Sequence, residues 1–339
     1  MLRPLKFEPI VIKTIWGGER WVMSSLPGRE SVVSVSDGME GSDAKLNLTE
    51  LVKKYKADLV GEKVWKKYGE TFPLLVKFIK AKNQLSVQVH PDDNMAARKG
   101  LPNGKTEMWY VLEAKNNPEL LLGFLRNLDA EEFASIVKSS LAEINTKDAE
   151  QSIENVLNRF IARKGDSFFI PAGTVHSIGA GLDILEIQQT SDTTYRLYDF
   201  NRKDKNGQRR KLDLEDAIEA IDFSPKEPST FKNVFKDASA TVQLADCEYF
   251  TSQFINFAKM FGTSEAGRYC FYQLDYSKFG SFSIVVCVEG DGEMFFTKKN
   301  GETESVTLAS GDVYLLPAQL GEARFRSLGN LQLVECHIR

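Results

Sequence analysis

The chain has 339 residues, 42% of them hydrophobic and 27% charged, with 43 Lys and Arg against 47 Asp and Glu for a net charge of −4. That length accommodates about two domains and a sizeable core, and the composition is globular rather than disordered. The missing basic excess argues against a nucleic-acid binder. Apolar runs such as Ile284-Val285-Val286-Cys287-Val288 are too short to cross a bilayer, and the opening Met1 to Lys6 has no apolar signal-peptide core. The four cysteines (Cys247, Cys270, Cys287, Cys336) lie in the last third without CxxC spacing, which reads as free thiols in a reducing, cytoplasmic setting. His90, His176 and His337 are the only three histidines.

In chain order, the opening reads as strands and turns, with Trp16-Gly17-Gly18 after the stretch from Val11 to Ile15. A helix is expected from Asn47, with Asn47 as cap, Glu50 three residues on, and Leu48, Leu51, Val52, Tyr55 and Leu59 at helical spacing. Phe72 to Leu112 reads as strand-rich. A helical insertion is expected over roughly 128–160, from Asp129 before Glu131-Glu132 and from Ile153, Val156, Leu157 and Phe160. Strands return from Gly165 to Leu197. Asn206-Gly207 marks a tight turn flanked by Lys203, Lys205, Arg209, Arg210 and Lys211, more readily a solvated hairpin than an anion site. A short helix follows from Asp213 to Ile221, capped by Asp213, and then a linker from Phe223 to Pro228. From residue 231 to the end the pattern is alternating strand, with Met294, Phe295 and Phe296 as core.

One internal repeat stands out. Gly165-Asp166-Ser167-Phe168-Phe169-Ile170-Pro171-Ala172 resembles Gly311-Asp312-Val313-Tyr314-Leu315-Leu316-Pro317-Ala318. The expected fold is mainly β, two β-barrels of one kind, with domains at 1–230 and 231–339. Five residues past its proline the first copy has His176, where the second has Glu322, so the chemistry is expected in the first.

Leu85-Ser86-Val87-Gln88-Val89-His90 alternates, placing Ser86, Gln88 and His90 on one strand face. A polar face inside a barrel is costly unless something binds it. Lys105 and Glu107 share a second such face, and His176 closes a third segment. Gln88, His90, Glu107 and His176 offer nitrogen and oxygen donors that suit a divalent ion such as zinc, and the same residues serve equally as ordinary hydrogen-bonded groups.

The spacing from Gly165 through Pro171 and Gly173 to His176 resembles the second motif of the cupin superfamily, whose barrels are jelly rolls. In the first motif Gln88 stands where cupins usually have a histidine. With Ile15-Trp16-Gly17-Gly18, Phe72 to Lys77, Leu85 to Asp93, Gly104 to Glu107, Pro171 to His176 and Glu186 to Asp199, this departure resembles one family, the type I mannose-6-phosphate isomerases in their short bacterial form. The resemblance covers most of the first 200 residues; the remainder is similar only to a cupin without metal ligands.

The resemblance implies an isomerase interconverting mannose 6-phosphate and fructose 6-phosphate by enediol proton transfer, with one zinc per chain on Gln88, His90, Glu107 and His176. Its partner is then a small sugar phosphate rather than nucleic acid or membrane; the oligomeric state stays open. Arg196 matches the family's active-site arginine, though on spacing alone an ion pair with Asp192 or Asp199 serves as well. Glu186 is the candidate base and Lys105 a stabiliser of a sugar oxygen or the phosphate, with simple ion pairs as the alternatives. Lys77, Trp16 and Ser86 are candidates for substrate binding, Trp16 serving equally as core. His337 has no evident ligand partner. A cupin oxygenase is disfavoured by the two eligible histidines, and a binding module without catalysis by the presence of Gln88, His90, Glu107, His176 and Arg196 together.

Overall fold

The computed structural model describes residues 2–34, 46–141, 152–203, 206–224, 231–262 and 269–339. They are mainly strand and form two compact units. One comprises Met1–Ile10, Trp21–Leu74 and Asn233–Arg339, the other Val11–Arg20 and Leu75–Lys232.

In the second of these, one sheet sets Leu74–Ala81, Leu182–Gln189, Glu107–Ala114 and Asp166–Ile170 side by side. The other sets Tyr195–Tyr198, Val87–Val89, His176–Ile178, Glu119–Phe124 and Leu157–Ile161 side by side. Residues from both, among them Trp109, Val111, Phe168, Ile184, Leu120, Leu122 and Ile178, share one apolar core. The two sheets are therefore packed layers.

The alternation read at 85–90 sorts its faces as expected, with one shift. Val87 and Val89 point away from that core into a cluster with Phe133, Ile136 and Val137 of the helix Ala130–Leu141 and Ala217 of the helix Leu214–Ala220. Leu85 precedes the strand and joins the inner core instead.

Asn47 caps the helix Leu48–Tyr55 as expected: Glu50 N donates to Asn47 Oδ1 at 2.9 Å and Asn47 N to Glu50 Oε2 at 2.8 Å. Asn47→Ala is expected to cost about 1 kcal/mol of stability, read as a lowered urea midpoint at unchanged slope.

The insertion is helical over Ala130–Leu141, but Ile153–Val156 is one 3-10 turn and Leu157–Ile161 is a strand. Pairing with Glu119–Phe124 overrides the helical spacing of Leu157 and Phe160. Residues 142–151 lie outside the described set, as do Lys205 and most of the expected 223–228 linker. A helix at Asp93–Arg98 interrupts the block read as strands. The helix Leu214–Ala220 sits where expected, but Asp213 makes no side-chain cap; its Oδ2 accepts from Arg196 N at 3.3 Å. Of the basic cluster, Arg210 binds Asp199, together with Arg202.

The repeat is one local structure used twice. Gly165 and Gly311 have φ of 83° and 91°, the left-handed region glycine favours. Asp166 Oδ2 accepts from Arg163 N at 2.7 Å, and Asp312 Oδ2 from Ala309 N at 2.9 Å. Gly165 N donates to Val111 O and Gly311 N to Cys287 O.

Register extends the correspondence. In the strands after the first turn, Ile170 faces Glu107, Gln188 faces Glu107, and Glu186 faces Trp109. After the second, Leu316 faces Ser283, His337 faces Ser283, and Glu335 faces Val285. Glu335 thus stands where Glu186 stands, and Ser283 where Glu107 stands. Glu335 is fully buried, accepting from Ser283 Oγ at 2.6 Å, Gln253 Nε2 at 3.1 Å and His337 Nδ1 at 2.9 Å. His337, without evident partners in the sequence, has this carboxylate and a stacked Phe279 ring, centroids 4.0 Å apart. Met294 and Phe296 are core as expected, whereas Phe295 alternates to the other face against Phe271. All four cysteines are free thiols, Cys287 and Cys336 buried.

Candidate metal and catalytic centre

Three strands and one turn build the site. Gln88 lies in the strand Val87–Val89, directly opposite His176 on one side and Arg196 on the other. Glu107 opens a strand of the neighbouring sheet, opposite Ile170 and Gln188. His90 leaves the Val87–Val89 strand just before Pro91-Asp92-Asp93. That turn is held against the segment carrying Lys105 by Gly104 N to Asp93 Oδ1 at 2.7 Å and Lys105 N to Pro91 O at 2.9 Å. A Cβ at Gly104 would come within 2.6 Å of Asp92 C, so only glycine permits this approach.

His90, Glu107 and His176 are all buried, with one potential ligand atom from each lying within 4.8 Å of the others. Among the described residues it is the one such cluster of three. Glu107 reaches both imidazoles, at 3.4 Å to His90 Nε2 and 3.5 Å to His176 Nε2. Gln88 Nε2 is 3.2 Å from His176 Nε2.

The backbone fixes both rings. His90 Nδ1 lies 3.0 Å from Thr193 O and His176 Nδ1 lies 2.8 Å from Thr174 O. A carbonyl only accepts, so each Nδ1 carries the proton and each Nε2 turns its lone pair toward Glu107. Lys105 Nζ, 2.9 Å from His90 Nε2, is a donor meeting that lone pair. Burial, then the Lys105 charge, lowers His90 to about 3 against the pull of Glu107. Burial also lowers His176. Both rings are neutral at neutral pH, as ligands must be.

Burial works to raise Glu107, but the Lys105 charge opposes it and the carboxylate is held well below its usual range. Glu107 Oε2 lies 3.0 Å from Lys105 Nζ, yet it is buried without a well-formed hydrogen bond. Two neutral imidazoles, an ionised carboxylate with an unsatisfied oxygen and an adjacent amide fit a divalent ion.

Next to this cluster sits a second buried carboxylate. Glu186 is 2% exposed, with Oε1 3.0 Å from Lys77 Nζ and 3.9 Å from Lys105 Nζ. Trp109 Nε1 donates to its Oε2 at 3.1 Å. Burial, reinforced by Glu107, pushes Glu186 up to about 7, with Lys77 and Lys105 offsetting only part. Burial opposes the Lys77 charge, but Glu186, Glu19 and Glu107 outweigh it and hold the ammonium above the usual lysine value.

Arg196 approaches from the other sheet. Its Nε donates to Ser86 Oγ at 3.3 Å and one terminal nitrogen to Lys211 O at 2.9 Å. Among the described residues no carboxylate pairs with its guanidinium; Asp199, a partner open from spacing, is taken by Arg202 and Arg210. Lys77, Ser86, Gln88, His90, Lys105, Glu107, His176, Glu186 and Arg196 thus form one contiguous polar set. Trp16 is not in it: its side chain packs in the apolar core.

The sequence reading missed Trp109, Glu19 and the carbonyls of Thr174 and Thr193. Trp109 had a signal, an even spacing from Glu107. Glu19, 3.5 Å from Lys77 Nζ, and the two carbonyls had none, because only the folded chain brings them there.

The family described as phosphomannose isomerase type I, catalytic domain, matches residues 8–126. Mannose-6-phosphate isomerase ManA of Bacillus subtilis is 32% identical over 99% of each chain. Mannose-6-phosphate isomerase of Streptococcus mutans is 32% identical over 74% of this chain and 78% of its own. The crystal structure of mannose 6-phosphate isomerase from Bacillus subtilis superposes with a TM-score of 0.77 at 26% identity, covering 99% of this chain and all of the other. With a match along its whole length, and with the buried histidine–glutamate cluster in place, this chain belongs to the type I mannose-6-phosphate isomerases.

Proposed function

We propose that this chain interconverts mannose 6-phosphate and fructose 6-phosphate at the polar set in unit Val11–Arg20 and Leu75–Lys232, with one zinc ion per chain held by Gln88, His90, Glu107 and His176. The carrying observation is a buried carboxylate, Glu186, raised toward neutral pH beside a donor set suited to a divalent ion. When bound, the ion supplies Lewis acidity to the sugar oxygens.

The reaction moves a proton between two adjacent carbons. A group that accepts and returns a proton works best with a pKa near the working pH, and Glu186 meets that condition. Trp109 Nε1 fixes one of its oxygens and leaves Oε1, facing Lys77, for proton traffic. Lys105, bridging Glu107 and Glu186, stabilises negative charge as it develops on a sugar oxygen. Gln88 and Arg196 are the half-buried members of an otherwise buried set. The substrate enters on their side, with its phosphate on the guanidinium fork of Arg196, and Lys77 and Ser86 complete the wall.

Jelly-roll barrels and a cytoplasmic setting belong to the same reading, as does a boundary near residue 231; of the expected first domain, Met1–Ile10 and Trp21–Leu74 group instead with Asn233–Arg339. The reading is supported by the shared turn at Gly165 and Gly311, by two packed sheets in each unit, and by the free thiols. Among the described residues no helix is long and apolar enough to cross a membrane.

The test is conversion of fructose 6-phosphate to mannose 6-phosphate by purified protein, before and after exhaustive chelation and after zinc is returned. Turnover lost on chelation and restored by zinc is expected. Turnover indifferent to complete metal removal overturns the zinc reading, and absence of turnover in zinc-loaded protein overturns the activity.

A further inference from the structure

Ser86 occupies an unusual position between two functional groups. It is 2% exposed, its Oγ donates to Gln88 Oε1 at 3.1 Å, and it accepts from Arg196 Nε at 3.3 Å. Gln88 and Arg196 are also direct cross-strand neighbours. One hydroxyl therefore joins the amide of a ligand candidate to the guanidinium that faces the substrate's phosphate.

A hydroxyl is the neutral group that suits this junction. As placed, Gln88 turns Nε2 to His176 and Oε1 to Ser86. An amide binds a cation only through its oxygen, so as a ligand Gln88 turns end for end and presents Nε2 to Ser86. Ser86 has one proton and two lone pairs. It can donate to Oε1 while accepting from Arg196, or accept from Nε2 and Arg196 Nε together. Alanine can do neither. An ionised carboxylate would have no proton to give Gln88 Oε1, and an amide would need its own reorientation.

We propose that Ser86 is a positioning residue that sets the Gln88 amide for the metal and couples metal affinity to the state of Arg196. The proposal rests on the zinc reading above. Coupling of this kind is reciprocal: whatever changes the Arg196–Ser86 hydrogen bond changes metal affinity, and the converse. Arg196 thereby affects an ion that it does not touch.

The experiment measures zinc affinity by competition with a chromophoric chelator, with no turnover involved. The proteins are wild type, Ser86→Ala, Ser86→Thr, Arg196→Lys and the Ser86→Ala/Arg196→Lys double variant. Ser86→Ala is expected to weaken zinc binding by about tenfold to a hundredfold, the usual effect of losing a group that orients a ligand. Ser86→Thr keeps the hydroxyl and most of the affinity. Arg196→Lys keeps the charge but loses the Nε–H, and should weaken zinc by about fivefold, the scale of one hydrogen bond. In the Ser86→Ala background the same change should have no further effect.

Wild-type affinity in Ser86→Ala overturns the proposal, as does an Arg196→Lys effect equally large without the hydroxyl. If Ser86→Ala does not fold, Arg196→Lys still decides: unchanged zinc affinity overturns the coupling. Failure of the wild type to compete for zinc at all overturns the zinc reading and this proposal together, whereas tight wild-type binding with an indifferent Ser86 overturns this proposal alone.

Discussion

Glu107→Gln should abolish both isomerase activity and zinc retention. Glu107 is the one anionic member of the proposed ligand set and faces both Nε2 atoms. Replacing it with an amide removes the charge that offsets a divalent ion's loss of water. A bound ion is worth several kcal/mol to the developing negative charge on the substrate, so the rate should fall at least about a thousandfold. Zinc content after dialysis, measured beside the steady-state rate, checks the two effects separately. The substitution also leaves Lys105, 4% exposed, without its nearest carboxylate. Removing one partner of a buried pair costs about 3–5 kcal/mol. Glu186, 3.9 Å away, remains as a second anion, which places the loss near the lower end, about 3 kcal/mol by urea denaturation. Full activity in Glu107→Gln with zinc still bound would remove Glu107 from the site.

Glu186→Gln should spare zinc binding and lower kcat by about 10²–10⁴-fold, the range for a positioned acid–base group. The pH profile gives the sharper reading. The carboxyl is pushed up to about 7 by burial and Glu107, and only its ionised form accepts a proton. In the wild type, kcat/KM should therefore be low in acid, rise as pH passes through about 7, and level above it. The residual rate of Glu186→Gln should lack that limb. A limb that persists unchanged in the variant would assign it to another group and take the base's role from Glu186.

Much of this centre could be read from the chain alone, for physical reasons. Alternation at 85–90 works because a strand's period of two admits no ambiguity about faces. The result is Val87 and Val89 under the helices, with Gln88 beside His176. Lys105 and Glu107 meet as an ion pair although Lys105 precedes the strand that Glu107 opens, so strand alternation is not what pairs them. Helical spacing was less secure. Leu157 and Phe160 fit a helix, yet a paired strand claimed them. The six-residue helix Asp93–Arg98 escaped because Met95 and Ala96 are its only buried side chains, too few to set a period. Its one signal was Asp92, whose Oδ1 accepts from Met95 N at 2.7 Å. What holds the imidazoles in place was not readable at all. The carbonyl of Thr193 is 103 residues from His90 and carries no side-chain signature.

The matching registers of Glu186 and Glu335 give the chain a comparison within itself. Both carboxylates occupy the same place in the same scaffold, one among lysines beside a metal-type donor set, the other among a serine, a glutamine and a histidine. The second shows another way to satisfy a buried acid at this place: a hydroxyl, an amide and an imidazole donate to it, in place of the two ammonium groups and the indole around the first. A buried acid at this place in the scaffold therefore does not depend on charged partners to be accommodated. The two places differ in more than the acid's neighbours, since Ser283 stands where Glu107 stands and Glu322 where His176 stands, so the buried acid is common to both units while the metal-type donor set is not.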